Sequence, residues 1–142
     1  MFRYILFTVL SISLFSCNEP DMLSDKIKSM VELLASENVS EEEIVKNYFL
    51  IDKDSISIYE LNCKVLKHLK TISMNKEIEI LTYKKAKSKY SDLHDVIGQT
   101  STVYIVHIKD SPDNPYMYVL IQDEKIKSIT PIVKGTKIIG WM

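Results

Sequence analysis

The sequence predicts an α+β domain in which N-terminal helices pack on a C-terminal antiparallel β-meander. Three observations carry this. Between residues 24 and 72 apolar side chains recur at intervals of three and four, the period of a helix with one buried face. From Ile78 onward the pattern alternates, and Val, Ile, Thr and Tyr become frequent. Turn-forming clusters at Asp110–Pro115, Asp123-Glu124 and Lys134–Thr136 then divide the second half at hairpin spacing.

Each element has its own signal. Ser24 precedes Ile27, Met30, Val31 and Leu34, a helix of about 12 residues. Ser40-Glu41-Glu42-Glu43 has capping-box form, with Ile44, Tyr48 and Phe49 continuing on one face. Ser57-x-x-Glu60 repeats the motif before a stripe of Ile58, Leu61, Val65, Leu69 and Ile72, with Lys64 and Lys67 opposite. Ile78, Ile80 and Thr82 alternate as a strand, Lys84–Tyr90 reads as a basic polar connection, and Gly98 marks a break. Strands are then expected over Thr100–Ile108, Tyr116–Ile121, Lys125–Ile132 and Lys137–Trp141.

A chain of 142 residues suits one domain. With 18 Lys+Arg against 19 Asp+Glu, the net charge of -1 excludes a globally basic nucleic-acid binder and an acidic disordered tail. Three Gly leave little material for a phosphate-binding glycine loop.

The first sixteen residues, MFRYILFTVLSISLFS, stand apart. Arg3 supplies a positive start, and the uncharged run Tyr4–Phe15 reaches roughly 18 Å as a helix, well short of a ~30 Å hydrocarbon core. This is the form of a secretory signal peptide. It ends in Leu14-Phe15-Ser16-Cys17, which resembles the bacterial lipobox, with Phe15 bulkier than the residue usual at its position. The resemblance implies a bacterial lipoprotein, with residues 1–16 removed, Cys17 carrying acyl chains, and 17–23 tethering a single α+β domain over 24–142. Several acyl chains would give stable membrane attachment where one gives only marginal binding. Asn18, where an Asp is associated with inner-membrane retention, directs the expectation to an outer membrane, facing the periplasm or the surface.

With Cys17 lipidated, Cys63 would be left without an internal partner, and nothing in its local sequence would activate it. The C-terminal run YVLIQDEKIKSITPIVKGTKIIGW is similar to the endings of small lipoproteins of the Bacteroidota, whose layout resembles cystatin-like and nuclear transport factor 2-like domains. Such folds host binding and catalysis alike, so the resemblance assigns no chemistry.

The search for chemistry is sparse. Asp52-Lys53-Asp54 opens like a calcium loop, but Ile56, Ser57 and Cys63 occupy the positions of a ligand, the Gly and the bidentate Glu. His68, His94 and His107 are isolated, and no His-x-x-x-His pair exists, so no metal and no cofactor is expected. His68 is expected half-buried beside Leu61 and Ile72. His94-Asp95 contains a base and a carboxylate, although adjacent side chains usually point apart. No Gly-x-Ser-x-Gly, Walker or dinucleotide motif occurs. The four Lys of Lys84–Lys89 could touch anionic headgroups, at about 1 kcal/mol each. The aromatics Tyr104, Tyr116, Tyr118 and Trp141 are the candidate binding face, since Tyr and Trp combine apolar area with a polar handle.

The expected function is therefore a membrane-anchored, non-enzymatic exported module that binds an unknown protein, peptide or small ligand, and not nucleic acid. The alternatives are an exported hydrolase with a dispersed site around His94 or His107, and an inhibitor or immunity-type protein.

Overall fold

The computed structural model describes residues 21–36, 38–51, 55–111 and 116–142. The signal segment, Cys17, the Asp52–Asp54 run and the Pro112–Pro115 part of the predicted turn lie outside the described residues.

Helix α1 (Met22–Ala35) starts two residues before Ser24, because Asp21 is its cap: Asp21 Oδ1 accepts the N–H groups of Leu23 at 3.2 Å and Ser24 at 3.4 Å. Helix α2 (Glu41–Tyr48) is capped as expected, Ser40 Oγ accepting from Glu43 N at 3.2 Å, and three Glu in its first turn suit the positive end of the helix dipole. Helix α3 (Ile56–Ser73) starts one residue before Ser57, which lies within its first turn and caps nothing; Ser55 sits at the cap without a side-chain bond.

Strand β1 (Ile78–Thr82) leads into a short helix, α4 (Tyr83–Lys89), where the sequence suggests a basic loop. Thr82 Oγ1 caps it through Lys85 N at 3.4 Å, and Tyr83 and Ala86, three apart, bury its inner face while Lys84, Lys85 and Lys89 stay exposed. After β2 (Asp95–Val96) come β3 (Val103–Ile108), β4 (Tyr116–Gln122), β5 (Lys125–Ser128), β6 (Pro131–Lys134) and β7 (Lys137–Trp141).

The fold is α+β, with the larger sheet antiparallel in the order β1-β3-β4-β5. The predicted strand Lys125–Ile132 is broken, however. Ser128 Oγ accepts the N–H of Thr130 at 3.0 Å and turns the chain, and Pro131, which has no N–H to give a ladder, opens β6 in a second sheet. That sheet has the order β2-β7-β6, with β2 and β7 parallel.

Pairing of Tyr104 with Val119 and Ile105 with Tyr118 fixes what each face of the larger sheet presents. Tyr104, Val106, Ile108 and Val119 pack with Met30, Leu34, Ile44, Phe49 and Leu66 of the helices and their ends. Val103, Ile105 and Tyr118 pack with Tyr83, Ala86, Leu93 and Ile138 on the opposite side. Both faces are covered, which is why every residue of β3 is buried.

Candidate functional site

The four aromatics do not form one surface. Tyr104 points into the helical core, 4% exposed, and its hydroxyl donates to Asp21 Oδ1 at 3.0 Å. Tyr116 and Tyr118 lie on the opposite face, as their spacing requires. Tyr118 is 6% exposed, and its hydroxyl accepts from His94 N at 2.8 Å. Tyr83 acts alongside it, donating to His94 O and accepting from Val96 N, both at 3.1 Å. These two tyrosines fasten the segment before β2 onto the sheet. Trp141 is half-buried at the end of β7.

The histidines are equally dispersed. His68 is exposed on α3, not half-buried. The imidazole of His94 stacks on Tyr118 with centroids 6.2 Å apart, while Asp95 directs its carboxylate to Lys87 at 2.9 Å, a contact that holds Asp95 below the usual carboxylate range. His107 is 7% exposed and sits in a polar chain on the outer face. Glu79 accepts from Lys89 Nζ at 2.6 Å and from Tyr90 Oη at 2.5 Å, and Tyr90 Oη meets His107 Nδ1 at 3.0 Å. Tyr116 stacks on His107 at 4.9 Å, and its hydroxyl donates to Asp92 at 3.1 Å. Burial pushes the Glu79 carboxyl up, but Lys89 and Tyr90 outweigh it and hold Glu79 below its ordinary value. Burial, then Glu79, pushes the Tyr90 hydroxyl up. Cys63 is half-buried on α3, with its thiol raised by burial first and Glu42 second, so it stays protonated near neutrality. Among the described residues no group of three His, Cys, Asp or Glu converges to hold a metal ion, and no helix is long and apolar enough to cross a membrane.

Open apolar space lies elsewhere, along α3. The residues of α3 that are fully buried are Asn62, Leu66, Leu69 and Ser73. The predicted stripe shares only Leu69 with that face; Leu61, Val65 and Ile72 are half-buried and Ile58 is exposed. At 100° per residue the stripe is turned by about one residue from the core, so it overlooks the sheet margin instead of the centre. Two clefts open there. The first, about 120 Å³, lies between Phe49, Ile58 and Asn62 on one side and Leu120, Ser128 and Trp141 on the other. Asn62 Oδ1 is buried beside it with no hydrogen-bond partner among the described residues. The second, about 270 Å³, lies between Val65, His68 and Ile72 of α3 and Met117, Tyr118 and Ile129 of the sheet.

The second cleft exposes strand edge. Ile121 N donates to Thr102 O at 2.9 Å, so with the β3–β4 register the main-chain groups of Val119 and Met117 point at β3. Those of Leu120 and Tyr118 therefore point the other way. Leu120 meets Ser128 of β5, but the ladder stops there as the chain turns away at Thr130. The outward N–H and C=O of Tyr118 have no strand beside them among the described residues.

With this geometry established, comparison adds no relative: no family profile, no curated protein and no solved structure matches the chain.

Proposed function

We propose that the chain is an exported, lipid-anchored binding module whose working surface is the seam between α3 and the margin of the larger sheet. The observation that carries the binding reading is the α3 stripe, which leaves Ile58, Val65 and Ile72 incompletely covered along two clefts with few polar groups. The alternative of a hydrolase working through His107 has weaker support. His107 lines neither cleft and is enclosed by Tyr90 and Tyr116. Support for the anchor comes from the sequence Leu14–Cys17 and the short polar tether that follows.

Two measurements test the reading. Cys17→Ser is expected to move the protein from the detergent-rich to the aqueous phase and to abolish incorporation of labelled palmitate; unchanged membrane fractionation would refute the anchor. Photocrosslinkers placed at Val65 and Ile58 in intact cells are expected to capture a partner that crosslinkers on the outer face of α1 do not. Equal labelling from both positions would refute the seam as the working surface.

A further inference from the structure

We propose that the first cleft binds a small uncharged phenol, whose ring fills the space and whose hydroxyl meets the amide of Asn62. This rests on the binding-module reading above and names a ligand for one of its two clefts. Asn62 is 5% exposed on α3, and its Oδ1 has no hydrogen-bond partner among the described residues. An acceptor enclosed in this way lacks the donor that buried polar atoms ordinarily have. Ser128, the other buried polar residue of the lining, differs: its hydroxyl donates to Met142 O and accepts from Thr130 N. The last torsion of an Asn side chain is soft and two-fold, so rotation about it presents either end of the Asn62 amide to the cleft. A hydroxyl answers both ends, since it donates to Oδ1 or accepts from Nδ2.

Size and lining select the rest of the ligand. The cleft holds about 120 Å³ and is open on one side. An apolar cavity of about 150 Å³ holds benzene, so this space takes one ring and excludes a long acyl chain. Phe49, Tyr59 and Trp141 supply aromatic walls, against which a flat ring packs offset or edge-on. No Asp or Glu lines the cleft among the described residues, and its one charged side chain, Lys127, is exposed. In water Lys127 would give a carboxylate little. A carboxylate turned inward would meet Asn62 and no cation, at a desolvation cost that an uncharged hydroxyl avoids.

Trp141 is the chain's only tryptophan and lines this cleft, so its emission reports on occupancy there. The test uses the full chain in lipid nanodiscs, with phenol, toluene, cyclohexanol, benzoate and acetyl-Gly-Tyr-Gly-amide as probes. Phenol is expected to change Trp141 emission saturably and to bind about threefold or more tightly than toluene or cyclohexanol. Asn62→Leu is expected to keep toluene binding and abolish the preference for phenol. Ile58→Glu, at a position already 37% exposed, is expected to weaken phenol about tenfold without changing the circular dichroism. A preference for phenol that survives Asn62→Leu overturns the proposal, as does toluene or cyclohexanol binding as tightly as phenol to the native chain. Tighter binding of benzoate overturns the uncharged ligand. Tighter binding of the tyrosine peptide overturns a free ligand in favour of a partner's side chain and leaves the seam standing. Silence from every probe overturns this proposal alone if the Ile58 and Val65 crosslinkers still capture a partner. With the crosslinkers silent too, the binding-module reading falls with it.

Discussion

The hydroxyl of Tyr118 accepts the main-chain N–H of His94 at 2.8 Å, joining the second half of the sheet to the segment that leads into β2. Because the donor is a partly buried main-chain group, the bond matters more for what its loss would leave behind than for its own strength. Tyr118→Phe keeps the ring in its pocket and strands that N–H. The expected cost is about 1–2 kcal/mol in thermal or denaturant unfolding, with faster hydrogen exchange at the His94 amide. An unchanged exchange rate would show that the Tyr118 hydroxyl does not hold that amide, the segment being kept in place by Tyr83, Lys87 and the β2–β7 pairing.

The Glu79 chain makes a pH prediction. The Glu79 carboxyl is held below its ordinary value in the folded state, so its contribution is fully present above the unfolded carboxylate range and is lost as pH falls through the folded value. Stability is expected to decline below about pH 4.5. Glu79→Gln removes one acceptor from Lys89 and Tyr90, with an expected loss of about 1.5–3 kcal/mol at neutral pH and a flatter acid limb. Unfolding midpoints measured from pH 3 to 7 on both proteins test this.

Asp21 joins two functions in one oxygen, capping α1 and accepting from Tyr104. Burial first, and the Asp21 bond second, pushes the Tyr104 hydroxyl up to about 12. A raised value in the folded state means stability that is intact below about pH 10 and lost as pH rises toward 12. An ultraviolet titration is expected to show a tyrosine ionising only as the fold opens. Asp21→Ala is expected to cost about 1–2 kcal/mol through the cap and to leave the Tyr104 hydroxyl without its acceptor.

The β4–β5 turn is built on two left-handed residues, Asp123 at φ 50° and Glu124 at φ 59°. A two-residue hairpin turn of this kind suits Asp-Gly, and Glu meets a steric penalty there that Gly does not. Glu124→Gly is expected to stabilise the fold by about 0.5–1 kcal/mol, because Lys26 bonds the main-chain carbonyl of Glu124 and not its side chain. A lowered melting temperature would contradict the turn geometry.

Local signals are legible in the sequence, and long-range ones are not. The Ser40 cap and the alternation that puts Tyr116 and Tyr118 on one side of β4 depend on residues a few positions apart. Helix α4 is hidden because four lysines mask the two residues, Tyr83 and Ala86, that bury it. The break after Ser128 depends on a side chain turning back on its own main chain, which periodicity does not register. Tyr104 is separated from the other aromatics only by its pairing with Val119, a contact across the sheet. The α3 stripe is visible as a pattern, but whether it faces a core or a cleft depends on which way the helix rolls against the sheet.

The parallel contact between β2 and β7 joins Asp95 to Lys137, and all of β3 to β6 lies between them in the chain. Pairing residues this far apart costs closure entropy that the sequential hairpins β3–β4 and β4–β5 largely avoid. The smaller sheet is therefore expected to form after the larger one during folding and to open before it under denaturant. In native-state exchange, amides of β2 and β7 would then open at lower free energy than those of β3, dividing the molecule into a late, loosely held cover and an early, persistent centre.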